Sequence, residues 1–201
     1  MNNFQIPAEI HPEHLVFPNL DIFYPAVSGI SSANKINNAI IELEIKLLQQ
    51  QGFFENPMTD VTGQFEVKTN ERNVLSLSLN NYAFAGGAHG LTIIKSLTFD
   101  LPTGRIYQLA DLFKPGSDYV KKLSAIVAQQ IKTRNITLLE PFTGIRPDQD
   151  FYIADKALVL YFQLYELTAY VFGFPMFPIS VYEIQDLINE QGPLGEMAEN
   201  N

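Results

Sequence analysis

The sequence predicts an α+β fold: antiparallel β-sheet with two long packed helices and a short C-terminal helix. Three observations predict it. Two stretches repeat apolar residues at helical spacing, three others alternate apolar and polar residues, and turn residues punctuate the chain between them. With 201 residues, 46% of them hydrophobic and 17% charged, the chain can bury a sizeable core and is expected to be globular.

The first elements read as edge strands. Leu15-Val16-Phe17 and Asp21-Ile22-Phe23-Tyr24 are short extended pieces set between Pro12, Pro18 and Pro25, which cannot donate to a central ladder. Ser31-Ser32 then supply N-cap chemistry for a helix whose Ile36, Ala39, Ile40, Leu43, Leu47 and Leu48 share one face, and Gly52 stops it. Next come Phe65 and Val67, then Leu75, Leu77 and Leu79, then Leu97, Phe99 and Leu101, each series alternating with polar residues as half-buried strands do. Asn70-Glu71-Arg72-Asn73 and Pro102-Thr103-Gly104 turn the chain between them.

The second half repeats this logic with less regularity. Ser117 caps a helix through Tyr119, Val120, Leu123, Ile126, Val127 and Ile131, with Gln130 as a polar break in the stripe. The apolar run Ala157–Phe162 reads as a central strand paired with Phe151-Tyr152-Ile153 across the Asp155-Lys156 turn. Ser180 and Glu183 form a capping box opening a short helix through Ile184, Leu187 and Ile188, which Gly192-Pro193 ends. Residues 191–201 are expected to be a disordered tail.

Composition excludes several function classes. Thirteen Lys+Arg against 22 Asp+Glu give a net charge of −9, which argues against a nucleic-acid binder and favours a basic partner. Six acids and no cation fall after residue 156, so the C-terminal part carries an acidic face. The absence of Cys removes disulfides, thiolate nucleophiles and cysteine-based metal sites. No basic-then-apolar leader precedes Lys35, so no secretory signal is read, and Pro175, Pro178 and Gly173 break the most apolar window, so no membrane insertion is expected.

Candidate chemistry is sparse. Gly86-Gly87-Ala88-His89-Gly90 lies between two strands, where glycines allow positive φ and close approach; it is either a structural turn held by His89 or a ligand-binding loop. No Lys-Ser/Thr follows to make a phosphate cradle. His11 and His14 sit three apart in a Pro-containing segment, a poor frame for zinc, and Asp148-Gln149-Asp150 lacks the later ligands of a calcium loop; no metal, cofactor or catalytic residue is assigned. Tyr165, Tyr170 and Phe172, with Glu166, belong to an aromatic stretch from Tyr161 to Phe177 that either folds onto the sheet as core or presents a recognition surface.

Tyr82 through Gly90, Ser96-Leu97-Thr98-Phe99-Asp100-Leu101-Pro102-Thr103-Gly104 and Leu109-Ala110-Asp111-Leu112-Phe113 resemble a bacterial domain-of-unknown-function family. That family is found at the extracytoplasmic end of the lysozyme-sensing anti-sigma factor and beside the catalytic domain of a peptidoglycan deacetylase. Tyr24-Pro25-Ala26-Val27-Ser28-Gly29 with Ala33-Asn34-Lys35-Ile36-Asn37 resembles the companion N-terminal module of those proteins. The resemblance implies modules over residues 10–80 and 81–190, which together make one compact unit. It also implies a non-enzymatic envelope recognition or sensing role, with a basic protein such as lysozyme, or peptidoglycan, as partner. Binding residues on this reading are Tyr82, Gly86, Gly87, His89, Tyr165, Glu166, Tyr170 and Phe172.

An extracytoplasmic or envelope location follows from the same resemblance, while the lack of a leader leaves a cytoplasmic one open. The sequence does not fix an oligomeric state. The deacetylase's Thr-Phe-Asp-Asp motif is missing, since Leu101 follows Thr98-Phe99-Asp100, and no two histidines stand four apart. The rival readings are a small wall-glycan hydrolase or esterase with His89 as base beside Tyr82 or Asp100, and a purely structural domain.

Overall fold

The computed structural model describes residues 7–198. The chain divides into two compact units, at Ile106 and Tyr107, and each is described by itself.

The first unit is a six-stranded sheet in the order β1-β2-β3-β4-β5-β6, with one long helix. The strands are β1 (Glu9–Phe17), β2 (Leu20–Ser28), β3 (Asp60–Glu71), β4 (Val74–Phe84), β5 (Leu91–Asp100) and β6 (Arg105–Ile106); the helix is α1 (Ala33–Gln50). Pro18 followed by Asn19 at φ 65° supplies what a tight turn between β1 and β2 requires. Arg72 and Asn73 both take positive φ (48° and 63°), the twist a two-residue hairpin between β3 and β4 wants.

All neighbouring pairs are antiparallel except β2 and β3, which run parallel over Leu20–Ile22 against Val61–Gly63. Helix α1 makes that parallel pair possible, because a crossover long enough for a helix returns the chain to the same end of the sheet. Residue 80 lies inside β4.

Strand alternation sorts the side chains. Leu75, Leu77 and Leu79 of β4 face Ile36, Ile40 and Leu47 of α1, all of them fully buried with Phe99. Burying side chains of this size contributes roughly 1.5–3 kcal/mol each, so this layer holds the unit together. Ser32 is the α1 N-cap residue, yet its hydroxyl makes no cap bond and donates instead to the Leu101 carbonyl, fastening the helix start to the end of β5.

The second unit contains helix α2 (Tyr119–Thr133), a three-stranded antiparallel sheet of β7 (Phe151–Ala154), β8 (Ala157–Tyr161) and β9 (Met176–Ser180), and helix α3 (Pro193–Ala198). Asp118, rather than Ser117, is the N-cap residue of α2. Gln130, the polar break in the α2 stripe, donates from Nε2 to the Pro178 carbonyl at 2.7 Å, so it is a strut between helix and β9. Arg134 donates to the Met176 carbonyl at 2.7 Å and lies over the Phe177 ring at 5.2 Å.

The chain's end corrects two expectations. Ser180 caps only a single 3-10 turn, Val181–Glu183, accepting from the Tyr182 amide, and the C-terminal helix forms later. The expected disordered tail is folded over residues 193–198, with Pro193, Leu194, Gly195 and Met197 buried. Pro193 starts α3 where a missing amide donor costs nothing. Gly195 is required there, because a Cβ at that position would lie 2.1 Å from the Glu190 carbonyl. The remaining tail residues, 199–201, lie outside the described residues.

Candidate functional site

The eight residues singled out from the sequence fall four to each unit. In the first unit, the β4–β5 connection holds Gly86 at φ 90° and Gly87 at φ 105°, with open space where side chains would project. His89 is exposed, and its Nδ1 lies 3.0 Å from the Gly90 carbonyl. Gly90 has a packing reason: a Cβ there would fall 2.4 Å from the Ala83 carbonyl and 2.5 Å from the Tyr82 ring. Glycine therefore lets the Tyr82 ring lie against the start of β5, leaving Tyr82 39% exposed.

A shallow depression of about 400 Å³ runs beside this loop, lined among others by Gln51, Gly86, His89 and Leu91. Gln51 closes one side by donating from Nε2 to the carbonyls of Asn81 (2.7 Å) and Leu91 (3.3 Å). Asp100 is not part of this neighbourhood. It pairs with Val74, whereas Leu91 pairs with Ala83, so it stands at the opposite end of β5, about 30 Å along the strand. There its carboxylate accepts from the Thr103 amide at 3.0 Å and from the Thr103 hydroxyl, which stabilises the turn into β6.

In the second unit the aromatic stretch divides. Tyr161, Phe162 and Phe177 are buried, and Phe162 packs edge-on against Phe177 at 5.6 Å. Tyr165, Val171 and Phe172 are instead 50%, 83% and 56% exposed. Tyr165 takes φ 65°, a conformation that costs a bulky residue free energy unless its surroundings impose it.

Those surroundings are visible. Glu166 accepts from the Gln163 amide at 2.7 Å and forms an ion pair with Arg146, which also reaches Asp148 at 3.5 Å. The Leu139 amide donates to the Leu167 carbonyl at 3.1 Å, and the Tyr165 and Tyr170 rings lie 5.7 Å apart. Glu166 is thus the anchor of the turn that displays the aromatics. Arg146, its partner from a distant stretch of chain, had no marker in the sequence.

Among the described residues no group of three His, Asp or Glu side chains is placed to hold a metal ion, and no helix is long and apolar enough to cross a membrane. His11 and His14 of β1 are engaged on the surface, His11 with Ser28 at 3.0 Å and His14 with Asp21 at 2.7 Å while stacked on Phe23 at 4.0 Å. Among the described residues the buried carboxyl group is that of Glu44 in α1. Loss of hydration holds its carboxyl above the ordinary 4.5, opposed more weakly by a hydrogen bond from the Asn81 amide. Gly63 makes room for that pair, since a Cβ there would lie 2.5 Å from Asn81 Oδ1.

Residues 110–182 match the family model of a protein of unknown function, DUF3298, and residues 16–92 match the model of deacetylase PdaC. The chain is 26% identical over 191 residues to the peptidoglycan-N-acetylmuramic acid deacetylase PdaC of Bacillus subtilis, covering 86% of this chain and 39% of that protein. It is 28% identical over 188 residues to the anti-sigma-V factor RsiV of the same organism, covering 85% of this chain and 65% of that protein. It therefore spans less than two thirds of either relative.

Two solved structures share the fold across 98% of both chains. One is a DUF3298 family protein from Pseudomonas aeruginosa, at a TM-score of 0.73 and 13% identity. The other is a DUF3298 family member from Bacteroides fragilis, at 0.65 and 16%.

Proposed function

Taking as premise the two-part match, a PdaC-type segment followed by a DUF3298 segment, we propose that this chain is a non-enzymatic recognition module of the cell envelope that binds a basic protein of the lysozyme type. The observation that carries this reading is the loop displaying Tyr165, Val171 and Phe172 within the DUF3298 segment. Large apolar side chains held at half exposure or more, on a turn fixed by an ion pair, suit a preformed contact surface. Rigid aromatic anchors are also what interfaces draw most of their binding energy from.

Charge supports the same partner. The stretch after residue 156 carries six acids and no cation, so a cationic protein is steered toward it. The relatives, a peptidoglycan deacetylase and an anti-sigma factor, support an envelope setting, and the sequence resemblance adds lysozyme as the basic protein and peptidoglycan as a further wall partner.

His89 is read as structural: its ring nitrogen faces the carbonyl of the next residue, Gly90. Of the two partners the hydrolase reading offers His89, Asp100 sits at the far end of β5, whereas Tyr82 lies against Gly90 beside the loop. Pulldowns with immobilised chain from wall extract, and separately with purified lysozyme, test the proposal. Stoichiometric recovery is expected, and recovery of nothing in both would overturn it.

A further inference from the structure

The face of the first unit's sheet that points away from α1 carries a grid of uncharged polar groups. Register sets Thr62, Tyr82 and Thr92 side by side across β3, β4 and β5, and sets Gln64 beside Asn80 in the next row. Their neighbours Val61, Leu79 and Ala83 point the other way, into the core. Neighbouring strands lie about 4.8 Å apart and same-face residues about 7 Å apart, so the grid has the footprint of a small saccharide. These residues line a depression of about 300 Å³.

From this geometry we infer a second ligand site, for a neutral saccharide, made by Thr62, Gln64, Asn80, Tyr82 and Thr92. The chemistry selects that class. Three hydroxyls and two carboxamides offer donors and acceptors together, as vicinal hydroxyls require, and the lining contains no charge in a chain whose net charge is −9. Asn80 Oδ1 is buried with no hydrogen-bond partner, so it is an acceptor still to be satisfied. The terminal torsion of Asn has a broad minimum, which lets the amide turn toward a ligand hydroxyl at small cost.

Tyr82 supplies the apolar platform. Its ring is positioned by contact with Gly90 and stays 39% exposed, available to the C–H face of a sugar ring. Charged same-face residues bound the grid: Glu66, ion-paired with Lys68, and Asp60 at its two ends along β3, and Asp21 of β2, held by His14, beside Thr62. This surface is separate from the loop of the proposed protein contact. Its test contains no lysozyme, so either idea can fail alone.

The test is titration of the full chain with N-acetylchitotetraose, and with cellotetraose as a second neutral probe, followed by backbone amide shifts in NMR. Shifts are expected at Thr62, Gln64, Tyr82 and Thr92 with at least one probe. Tyr82→Ala is expected to weaken binding about tenfold, and Gln64→Ala, at an exposed position that leaves the core untouched, by a smaller factor. Absence of shifts up to about 10 mM of both probes, shifts confined to other residues, or equal affinity in both folded variants would overturn the inference.

Discussion

The two units hold themselves together differently. In the first, five strands of nine to twelve residues lie side by side, and backbone ladders with one leucine-rich layer against α1 do most of the binding. In the second, strands of four and five residues leave long connections. Those connections are fastened by single side chains reaching backbone groups. Gln149 is 1% exposed and donates to the Tyr161 carbonyl at 2.8 Å, Gln130 and Arg134 tie α2 to β9, and Arg146 anchors Glu166. In the second unit a segment held at a few points leaves the residues between them, Tyr165 and Phe172 among them, free to face outward.

Truncation should separate the two modes. Leu77→Ala, in the buried layer of the first unit, is expected to cost roughly 2–5 kcal/mol in chemical denaturation, the largest effect of any single change discussed. Gln149→Ala, which removes one buried strut and leaves the Tyr161 carbonyl without its donor, is expected to cost roughly 1–3 kcal/mol. A smaller loss from Leu77→Ala than from Gln149→Ala would reverse the comparison.

Glu44 sharpens it further, because with Asn81 it forms a polar pair beside a layer of buried leucines and isoleucines. Its carboxyl is held above 4.5 by burial, so the folded chain keeps the proton where the unfolded chain releases it. The contribution of this group to stability is therefore complete below the ordinary value and is lost as pH rises from there through the raised folded value. Glu44→Gln removes that slope. Its melting temperature is expected to exceed that of the parent at about pH 7 and to equal it near about pH 4. A gain of the same size at both pH values would contradict the buried-acid account.

Much of the first unit was legible because a strand's period is short and repeated. Leu75, Leu77 and Leu79 announced β4, and Ile36 through Leu48 announced α1 with its stop at Gly52. The parallel pairing of β2 with β3 was not, since alternation says which face a residue takes and nothing about strand direction. The C-terminal segment misled because Gly192-Pro193 reads equally as the end of one helix or the start of another; the spacing of Leu194 and Met197 was the signal for the second.

At the candidate sites, sequence showed the residue types and missed the geometry. The aromatic run gave no sign that Phe162 and Phe177 turn inward while Tyr165 and Phe172 turn out. That split depends on Arg146 and Leu139, which are distant in the chain. Thr62, Gln64 and Thr92 carry no motif and become a group only through strand register.

The central claim is recognition of a cationic protein by the loop of the second unit, and calorimetric titration with hen lysozyme tests it most directly. The chain, Phe172→Ala and His89→Ala would be compared at low and physiological salt. Phe172 is 56% exposed, so its removal should leave stability within about 0.5 kcal/mol while weakening binding about tenfold. His89→Ala should bind as the parent does, and binding should weaken with salt. Absence of binding at both salt concentrations, or unchanged affinity in Phe172→Ala, would contradict the account.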